Sequence, residues 1–310
     1  MSKRILFTVT ALLTATGIAS AQQVPDLKYR PPLPRPAYES GKGPRVAIDE
    51  AHHNFHTSEE RYKPFAELLR RDGYRVVALR QPFSAESLEG VDVLVISNAL
   101  NERNAQDWAP PNPSAFTKGE IAALHSWVEQ GGSLFLIADH APFPAAASDL
   151  AEAFGVKFSN GFATAGHWKS GGPETFEYGT GLKESTITRG RSDSEKVTKV
   201  ATFTGSAFKP PKDAIPVLVF GPKSESHERR EREQGKPETL KVPIEGWCQG
   251  AVMSVGRGRV AVFGEAGMFS AQLAGPKQEP MGMNAPEAEQ NHQLLLNVMR
   301  WLSRAKGIAD

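Results

Sequence analysis

The sequence lacks several features that would assign it to a familiar functional class. Its 310 residues include one cysteine, Cys248, so no disulfide can form within the chain and the fold must depend on its apolar core. The net charge of +1 gives no long-range attraction toward nucleic acid or an anionic membrane. After the first residues, no apolar run approaches the about 20 residues that a transmembrane helix needs. Nucleic-acid partners and a membrane span in the mature chain are therefore not expected.

Two kinds of catalytic motif are also missing. No Gly-x-Ser-x-Gly pentapeptide occurs, and Cys248 precedes a predicted strand, so neither serine nor cysteine stands in a nucleophile elbow. No glycine-rich loop joins a strand to a helix, so a nucleotide cofactor is not expected. Cysteine-dependent acyl transfer therefore ranks last among the functions considered.

The first residues have the order of a secretion signal. Lys3 and Arg4 give a basic start, residues 5–18 an apolar core, and Ala19-Ser20-Ala21 a small-residue cleavage site. We expect a signal peptide at residues 1–21 and a periplasmic or extracellular mature protein. Residues 22–44 contain six prolines and predict an extended arm.

From Arg45 onward, short apolar runs alternate with amphipathic segments in the order β-α-β-β-α-β-α. Capping boxes predict helix starts at Thr57 and Thr117. This order predicts an α/β fold with a mainly parallel sheet and helices packed on it, in one domain over residues 45–304. Residues 160–245 lack a clear pattern, so we expect an irregular insertion in which 197–203 and 215–220 are candidate strands. Its charged stretch 223–241 predicts a solvated loop.

Polar residues follow four of the predicted strands. Asp49 and a histidine cluster follow the first strand, and Ser97-Asn98, Asp139-His140 and Gly264-Glu265 follow three later ones. Parallel strands would bring all four groups to one carboxyl-terminal edge, which is where open α/β sheets bind ligands. This convergence is stronger evidence for a site than any one of the four groups.

The side chains at this edge suit a divalent transition metal such as Zn²⁺, because imidazole and carboxylate are its usual ligands. The predicted ligands are Asp49, His52, His53, His56 and His140. Glu265 and Asp139 are the predicted catalytic residues, either of which would deprotonate a metal-bound water. The residues predicted to contact substrate are Asn98, Phe143, His167 and Trp168.

Each of these side chains also has a simpler structural interpretation. Asp49 can cap the turn after its strand. His140 can bond a backbone carbonyl in the turn that follows it, and Glu265 can bind the amino terminus of a helix. His53, His56 and His167 can be exposed loop residues.

Several segments resemble the class I glutamine amidotransferase-like superfamily. They are the stretches 46–52, 65–76, 92–96, 120–127 and 131–139, and the final 258–265 with its trailing helix. The nearest resemblance is to the exported bacterial branch with a DUF4350-type domain, and it covers residues 45–155 and 250–304. It implies a flavodoxin-like three-layer sandwich with its site at the carboxyl edge. No residue matches the elbow cysteine of the superfamily's Cys-His-Glu triad, so glutamine amidotransferase activity is not expected.

Two functions fit these observations. The first is an exported, metal-dependent hydrolase that acts on a cell-envelope or extracellular glycan, amide or ester. The alternative is a non-catalytic module that binds a carbohydrate or peptide with the same polar rim. The aromatic residues available for that second role are Trp108, Phe143, Phe162 and Trp168.

Overall fold

The computed structural model describes residues 23–167, 172–230 and 238–308. The predicted signal peptide and Trp168 lie outside this part of the chain. The strands are, in chain order, β1 (Gln23–Pro25), β2 (Arg45–Asp49), β3 (Arg75–Leu79), β4 (Val93–Ser97), β5 (Ser133–Ile137), β6 (Lys157–Phe158), β7 (Gly161–Thr164), β8 (Glu174–Glu177), β9 (Lys199–Thr202), β10 (Phe208–Lys209), β11 (Ile215–Val219), β12 (Glu225–Arg230), β13 (Glu238–Pro243), β14 (Cys248–Val255), β15 (Gly258–Phe263), β16 (Ala271–Ala274) and β17 (Glu279–Gly282). The α-helices are α1 (Lys63–Arg71), α2 (Lys118–Glu129), α3 (Phe143–Ala153), α4 (Thr186–Arg189) and α5 (Asn291–Leu302).

A nine-stranded sheet forms the centre of the molecule, in the order β3-β2-β4-β5-β15-β14-β10-β6, with β11 also paired to β14. Its first five strands are parallel to one another, and the later pairings are antiparallel. The predicted mainly parallel sheet is therefore confirmed. The carboxyl ends of β2, β4, β5 and β15 lie at one edge, as parallel strands require.

Helices cover both faces of this sheet. Val93 and Val95 of β4 face the cluster that includes α1 and α5, whereas Leu94 and Ile96 face the cluster that includes α2 and α3. Successive strand residues point to opposite faces, so a strand covered on both sides is apolar throughout. Among the described residues, no helix has the length and hydrophobicity that crossing a bilayer would require.

The two capping boxes have different outcomes. The Oγ1 of Thr117 accepts the backbone N–H of Glu120, and Glu120 accepts the N–H of Thr117 in return, so α2 begins where predicted. Helix α1 begins at Lys63 and not near Thr57. Pro64 explains the shift, because a proline fits the first turn of a helix but interrupts its interior.

The prediction that residues 160–245 form an irregular insertion is wrong, although the two candidate strands within it are confirmed as β9 and β11. The segment contains strands β7 to β13 and α4, and β10 and β11 extend the central sheet. Strands β12 and β13 form a ladder in the stretch predicted as a solvated loop, where Lys241 Nζ pairs with Glu225 Oε2 at 2.9 Å. Cross-strand ion pairs stabilise exposed strands without an apolar run, so the usual strand pattern is absent from the sequence.

Candidate active site

The carboxyl edge of the parallel strands opens into a cavity of about 260 Å³, which we call the edge cavity. Asn98 reaches it one residue after β4, Asp139 two residues after β5, and Glu265 two residues after β15. His56 reaches it from the loop between β2 and α1. The complete lining is Gln23, Phe55, His56, Asn98, Trp108, Asp139, His140, Phe143, Phe203, Thr204, Glu265, Gly267, Gln272 and Met281.

The carboxylate of Asp139 is held by several donors at the base of this cavity. Its Oδ1 accepts the N–H of His140 at 2.7 Å, and its Oδ2 accepts the N–H of Ala266 at 3.1 Å. The hydroxyl of Thr204 lies 3.5 Å from Oδ1. Hydrogen bonds from the backbone fix the orientation of a carboxylate, so the Asp139 side chain is held in one position in the cavity.

Glu265 is a fully buried carboxyl group in the same cavity. Its Oε2 accepts the N–H of Met268 at 2.6 Å, whereas its Oε1 has no hydrogen-bond partner in the described structure. Burial and the nearby charge of Asp139 raise the pKa of Glu265 well above its usual range, and backbone N–H groups offset this only in part. The raised pKa favours the protonated form of Glu265.

Asn98 and His56 complete the polar lining. Asn98 has a φ of +51°, a backbone conformation that few non-glycine residues adopt and that concentrates at functional sites. Its Oδ1 accepts the N–H of Asp139 at 2.9 Å. Burial, assisted by the charge of Arg61, lowers the pKa of His56 to about 3, so its imidazole is neutral.

Aromatic rings form one wall of the edge cavity. Trp108 contacts Phe143 and Phe55 at centroid distances of 5.1 and 5.5 Å, and Trp108 is 39% exposed at the rim. His140 stacks on Phe162 at 4.3 Å, and its Nδ1 donates to the carbonyl of Ala141, which is the simpler role considered for it. An apolar wall around a few convergent polar groups is the usual composition of a small-molecule site.

Asp49 and His52 lie outside the edge cavity, in a buried cluster with Glu120 that we call the histidine clamp. The Nδ1 of His52 lies 2.9 Å from Asp49 Oδ1, and its Nε2 lies 2.8 Å from Glu120 Oε1. Burial alone would lower the pKa of His52, but the hydrogen bonds and charges of Asp49 and Glu120 outweigh it and raise this pKa. Asp49 also caps the turn by accepting the N–H of Ala51.

The structure therefore separates the five predicted metal ligands. His52 has no free nitrogen, since both face carboxylates, and His53 is exposed and does not line the edge cavity. Only His56 and His140 of that set line the cavity. In the described part of the chain, no three His, Cys, Asp or Glu side chains are arranged to hold one metal ion.

The histidine clamp should make stability depend on pH. A histidine whose pKa is raised by folding stabilises the protein fully below its unfolded pKa of about 6.5, and this contribution is lost as the pH rises through the folded pKa. We expect the free energy of unfolding to fall more between about pH 6 and about pH 9 in the natural protein than in His52→Gln. Urea titrations at the two pH values measure the difference.

His125→Gln is the matched control, because His125 pairs with Glu129 on the surface of α2 and touches no part of the histidine clamp. It should keep the pH dependence of the natural protein. Glu174 titrates in the same pH range, since burial raises its pKa to about 7, but it is present in all three proteins and cancels from the comparison. Equal slopes for the natural protein and His52→Gln would contradict the charged clamp.

The remaining predicted residues have varied positions. Phe143 and Asn98 line the edge cavity, whereas His167 is exposed and bonds the carbonyl of Thr175 instead. Cys248 is buried, and burial raises the pKa of its thiol to about 12, so it is not a thiolate at neutral pH.

Sequence reasoning missed several residues of this region, and Glu120 and Gln272 are the two whose polar contacts matter most. Glu120 was interpreted only as part of a capping box, although it also contacts His52, which lies 68 positions earlier. Gln272 lines the cavity from β16, a strand that has no strong sequence pattern. The capping box marked the position of Glu120, but no local signal marks its second contact or the position of Gln272.

The fold defined here, a mixed α/β structure with a mainly parallel central sheet and additional antiparallel sheets, occurs in known structures. The mmIFT52 N-terminal domain superimposes with a TM-score of 0.60 at 16% identity, over 83% of this chain and 97% of that one. A thua-like protein from Bacteroides uniformis gives 0.48 at 16% identity, over 87% and 96% of the two chains. The cytoplasmic protein STM3548 from Salmonella typhimurium gives 0.49 at 16% identity, over 84% and 99%.

At these identities, the likeness to the mmIFT52 domain shows a shared fold and carries no information about activity. No protein-family model matches the chain, and no curated protein matches it by sequence. The function must therefore be argued from the edge cavity itself.

Proposed function

We propose that this protein is an exported hydrolase that cleaves a glycosidic bond in the edge cavity. The observation that carries the proposal is that the carboxyl groups of Glu265 and Asp139 line one cavity, where burial and the nearby Asp139 raise the pKa of Glu265 and favour its protonated form. Two carboxyl groups of opposite protonation state are the usual machinery of glycoside hydrolysis, one acting as acid and the other as base or nucleophile.

The two carboxyl groups have separate roles in this reaction. Glu265 donates its proton to the glycosidic oxygen as the C–O bond breaks, and Oε1 is the free oxygen from which the proton leaves. Asp139 accepts a proton from the water that attacks the sugar carbon. The transfer of that proton back to Glu265 after product release restores the starting state.

A serine or cysteine nucleophile is disfavoured by position. Ser97 Oγ lies 3.4 Å from His56 Nδ1, but Ser97 is fully buried and is absent from the cavity lining. The neutral imidazole of His56 has a pKa too low for an efficient general base near neutral pH. Cys248 is disfavoured because burial raises its thiol pKa, so the reactive thiolate does not form at neutral pH.

The predicted metal dependence gains no support from these residues. Zinc sites that perform catalysis use three protein ligands, and two of the predicted ligands, Asp49 and His52, are committed to the histidine clamp. We therefore derive no step through a metal ion. The acid and base roles of Glu265 and Asp139 do not require one.

The finer assignments remain part of the proposal. The order of strands and helices supports a flavodoxin-like sandwich of the class I glutamine amidotransferase-like type. The exported DUF4350-type branch rests on the sequence resemblance of residues 45–155 and 250–304 alone. Export to the periplasm or the outside rests on the signal-like residues 1–21. A cell-envelope or extracellular glycan is the substrate that such a location implies.

The aromatic wall favours a second candidate, a carbohydrate-binding module without catalysis. Trp108, Phe143 and Phe55 would serve either function, because apolar walls contribute to binding whether or not a bond is cleaved. A buried acid whose pKa is raised is not needed for binding alone, and for this reason we prefer the hydrolase.

Hydrolysis of neutral p-nitrophenyl glycosides tests the choice between the two. We expect release of nitrophenolate from one of the glucosides or galactosides, with a rate unchanged by chelator. Binding of a glycoside in calorimetry without any release would support the binding module. If the protein neither binds a glycoside nor releases nitrophenolate, both functions are contradicted.

A further inference from the structure

Gln272 presents an unsatisfied acceptor to the edge cavity. Its Nε2 lies 2.8 Å from Ser270 Oγ, and that hydroxyl donates its one hydrogen to the carbonyl of Gly267 at 2.7 Å. The hydroxyl must therefore accept from Gln272, which fixes the orientation of the amide. Gln272 is fully buried and lines the cavity, yet its Oε1 has no partner in the described structure.

Glu265 Oε1 is a second oxygen of this kind in the same cavity. A buried acceptor without a donor destabilises the fold, so native structures satisfy such atoms with water or with a bound ligand. Two of them in one cavity call for a ligand rich in hydrogen-bonding groups. Hydroxyl groups meet this requirement at both atoms, because a hydroxyl donates to the amide oxygen of Gln272 and accepts from a protonated carboxyl.

The charge of the lining restricts the ligand further. Asp139 and Glu265 are both acidic, and no Lys or Arg stands among the side chains that line the cavity in the described residues. The guanidinium of Arg61 is held 3.9 Å from the centre of the Phe55 ring and does not line the cavity. An anionic ligand would lose its hydration beside a carboxylate with no compensating cation, so its binding is disfavoured.

We propose that Gln272 accepts a hydrogen bond from a hydroxyl group of the bound sugar, and that the cavity selects neutral sugars against uronic acids. This inference rests on the proposed function and names its substrate class. Gln272 binds the substrate without taking part in proton transfer. Its removal should raise KM and leave kcat nearly unchanged, because the hydrogen bond is equally strong in the ground state and the transition state.

The test compares p-nitrophenyl glucoside and galactoside with the matching p-nitrophenyl glucuronide and galacturonide. Each pair differs only in the replacement of a hydroxymethyl group by a carboxylate. We expect calorimetry on the natural protein to show at least about 10-fold tighter binding of a neutral glycoside than of its uronide. Equal or tighter binding of the uronide, or no binding of either neutral glycoside, would overturn the proposal.

The variant Gln272→Met removes the acceptor and keeps the length of the side chain. It should weaken binding of the neutral glycoside about 10-fold, whereas Gln293→Met should not, since Gln293 lies on α5 and bonds Asn297. If Gln272→Met weakens binding but the natural protein releases no nitrophenolate, the hydrolase is refuted and the role of Gln272 in binding stands. If Gln272→Met and Gln293→Met hydrolyse the glycoside with the same KM, the role of Gln272 is refuted and the hydrolase stands. The preference for neutral glycosides in the natural protein needs no variant and remains decisive if Gln272→Met fails to fold.

Discussion

Glu265→Gln should lower kcat for glycoside hydrolysis by about 10²–10⁴-fold, the usual contribution of a positioned general acid. Glutamine keeps the size and neutrality of the protonated glutamic acid but has no acidic proton to give to the leaving oxygen. The carboxyl group is fully buried at the cavity, so its shape is preserved and the fold should persist. Steady-state kinetics with the neutral glycoside measure the effect.

The same substitution should leave the protein as stable as before or more stable at neutral pH. A carboxyl group whose pKa is raised by folding binds more protons in the folded state, so the free energy of unfolding falls as the pH rises from the ordinary pKa toward the raised one. Glutamine removes this loss. Glu152→Gln, an exposed change on α3, is the control and should alter neither activity nor stability. Undiminished hydrolysis by Glu265→Gln would remove this residue from the mechanism.

Asp72→Ala should destabilise the protein by about 3–5 kcal/mol, because it removes the two-oxygen partner of the buried Arg300 guanidinium, which keeps only the longer contact with Glu195 Oε1 at 3.2 Å among its carboxylate contacts in the described residues. Asp72 follows the last residue of α1, and its two oxygens accept from Arg300 of α5 at 2.7 and 2.9 Å. Both side chains are almost completely buried. The pair also holds the amino-terminal arm, since the N–H of Ala37 donates to Asp72 Oδ1 at 2.7 Å.

The matched control for this prediction is Glu67→Ala in the same helix. Glu67 pairs with Arg70 at 2.6 Å, but Glu67 is exposed and Arg70 only half-buried, and such surface pairs contribute about 0–1 kcal/mol. Urea unfolding of the two variants measures the contrast. A double variant Asp72→Ala/Arg300→Met should lose less stability than the sum of the single changes, because neither charge is left alone. If Asp72→Ala lowers the free energy of unfolding by less than Glu67→Ala does, the buried pair of Asp72 and Arg300 does not stabilise the fold.

The position of the site was predictable because it follows from local pattern and sheet topology. The apolar runs that became β4, β5 and β15 each end just before Asn98, Asp139 or Glu265, and parallel pairing places the ends of such strands together. The predicted site residues Asn98, Asp139 and Glu265 line one cavity for that reason.

The chemistry of the histidine cluster was not predictable in the same way. Asp49 was expected to be a metal ligand, and its position at a strand end fits that role as well as it fits a turn cap. Glu120 decides which role the cluster has. Its capping box places it in α2, and from there its carboxylate contacts Nε2 of His52. A contact between residues so far apart in sequence leaves no periodic signal.

For residues 45–155 and 250–304, the sequence by itself determined the main elements and their order, because apolar periodicity and helix caps act over a few neighbouring residues. It also determined the edge at which the polar groups gather, since parallel pairing leaves one choice. Only the tertiary structure decided which of these groups share a cavity, which become a buried ion cluster, and which carboxyl group keeps its proton. Those outcomes depend on burial and on charges brought together from distant segments, and both arise only when the layers pack.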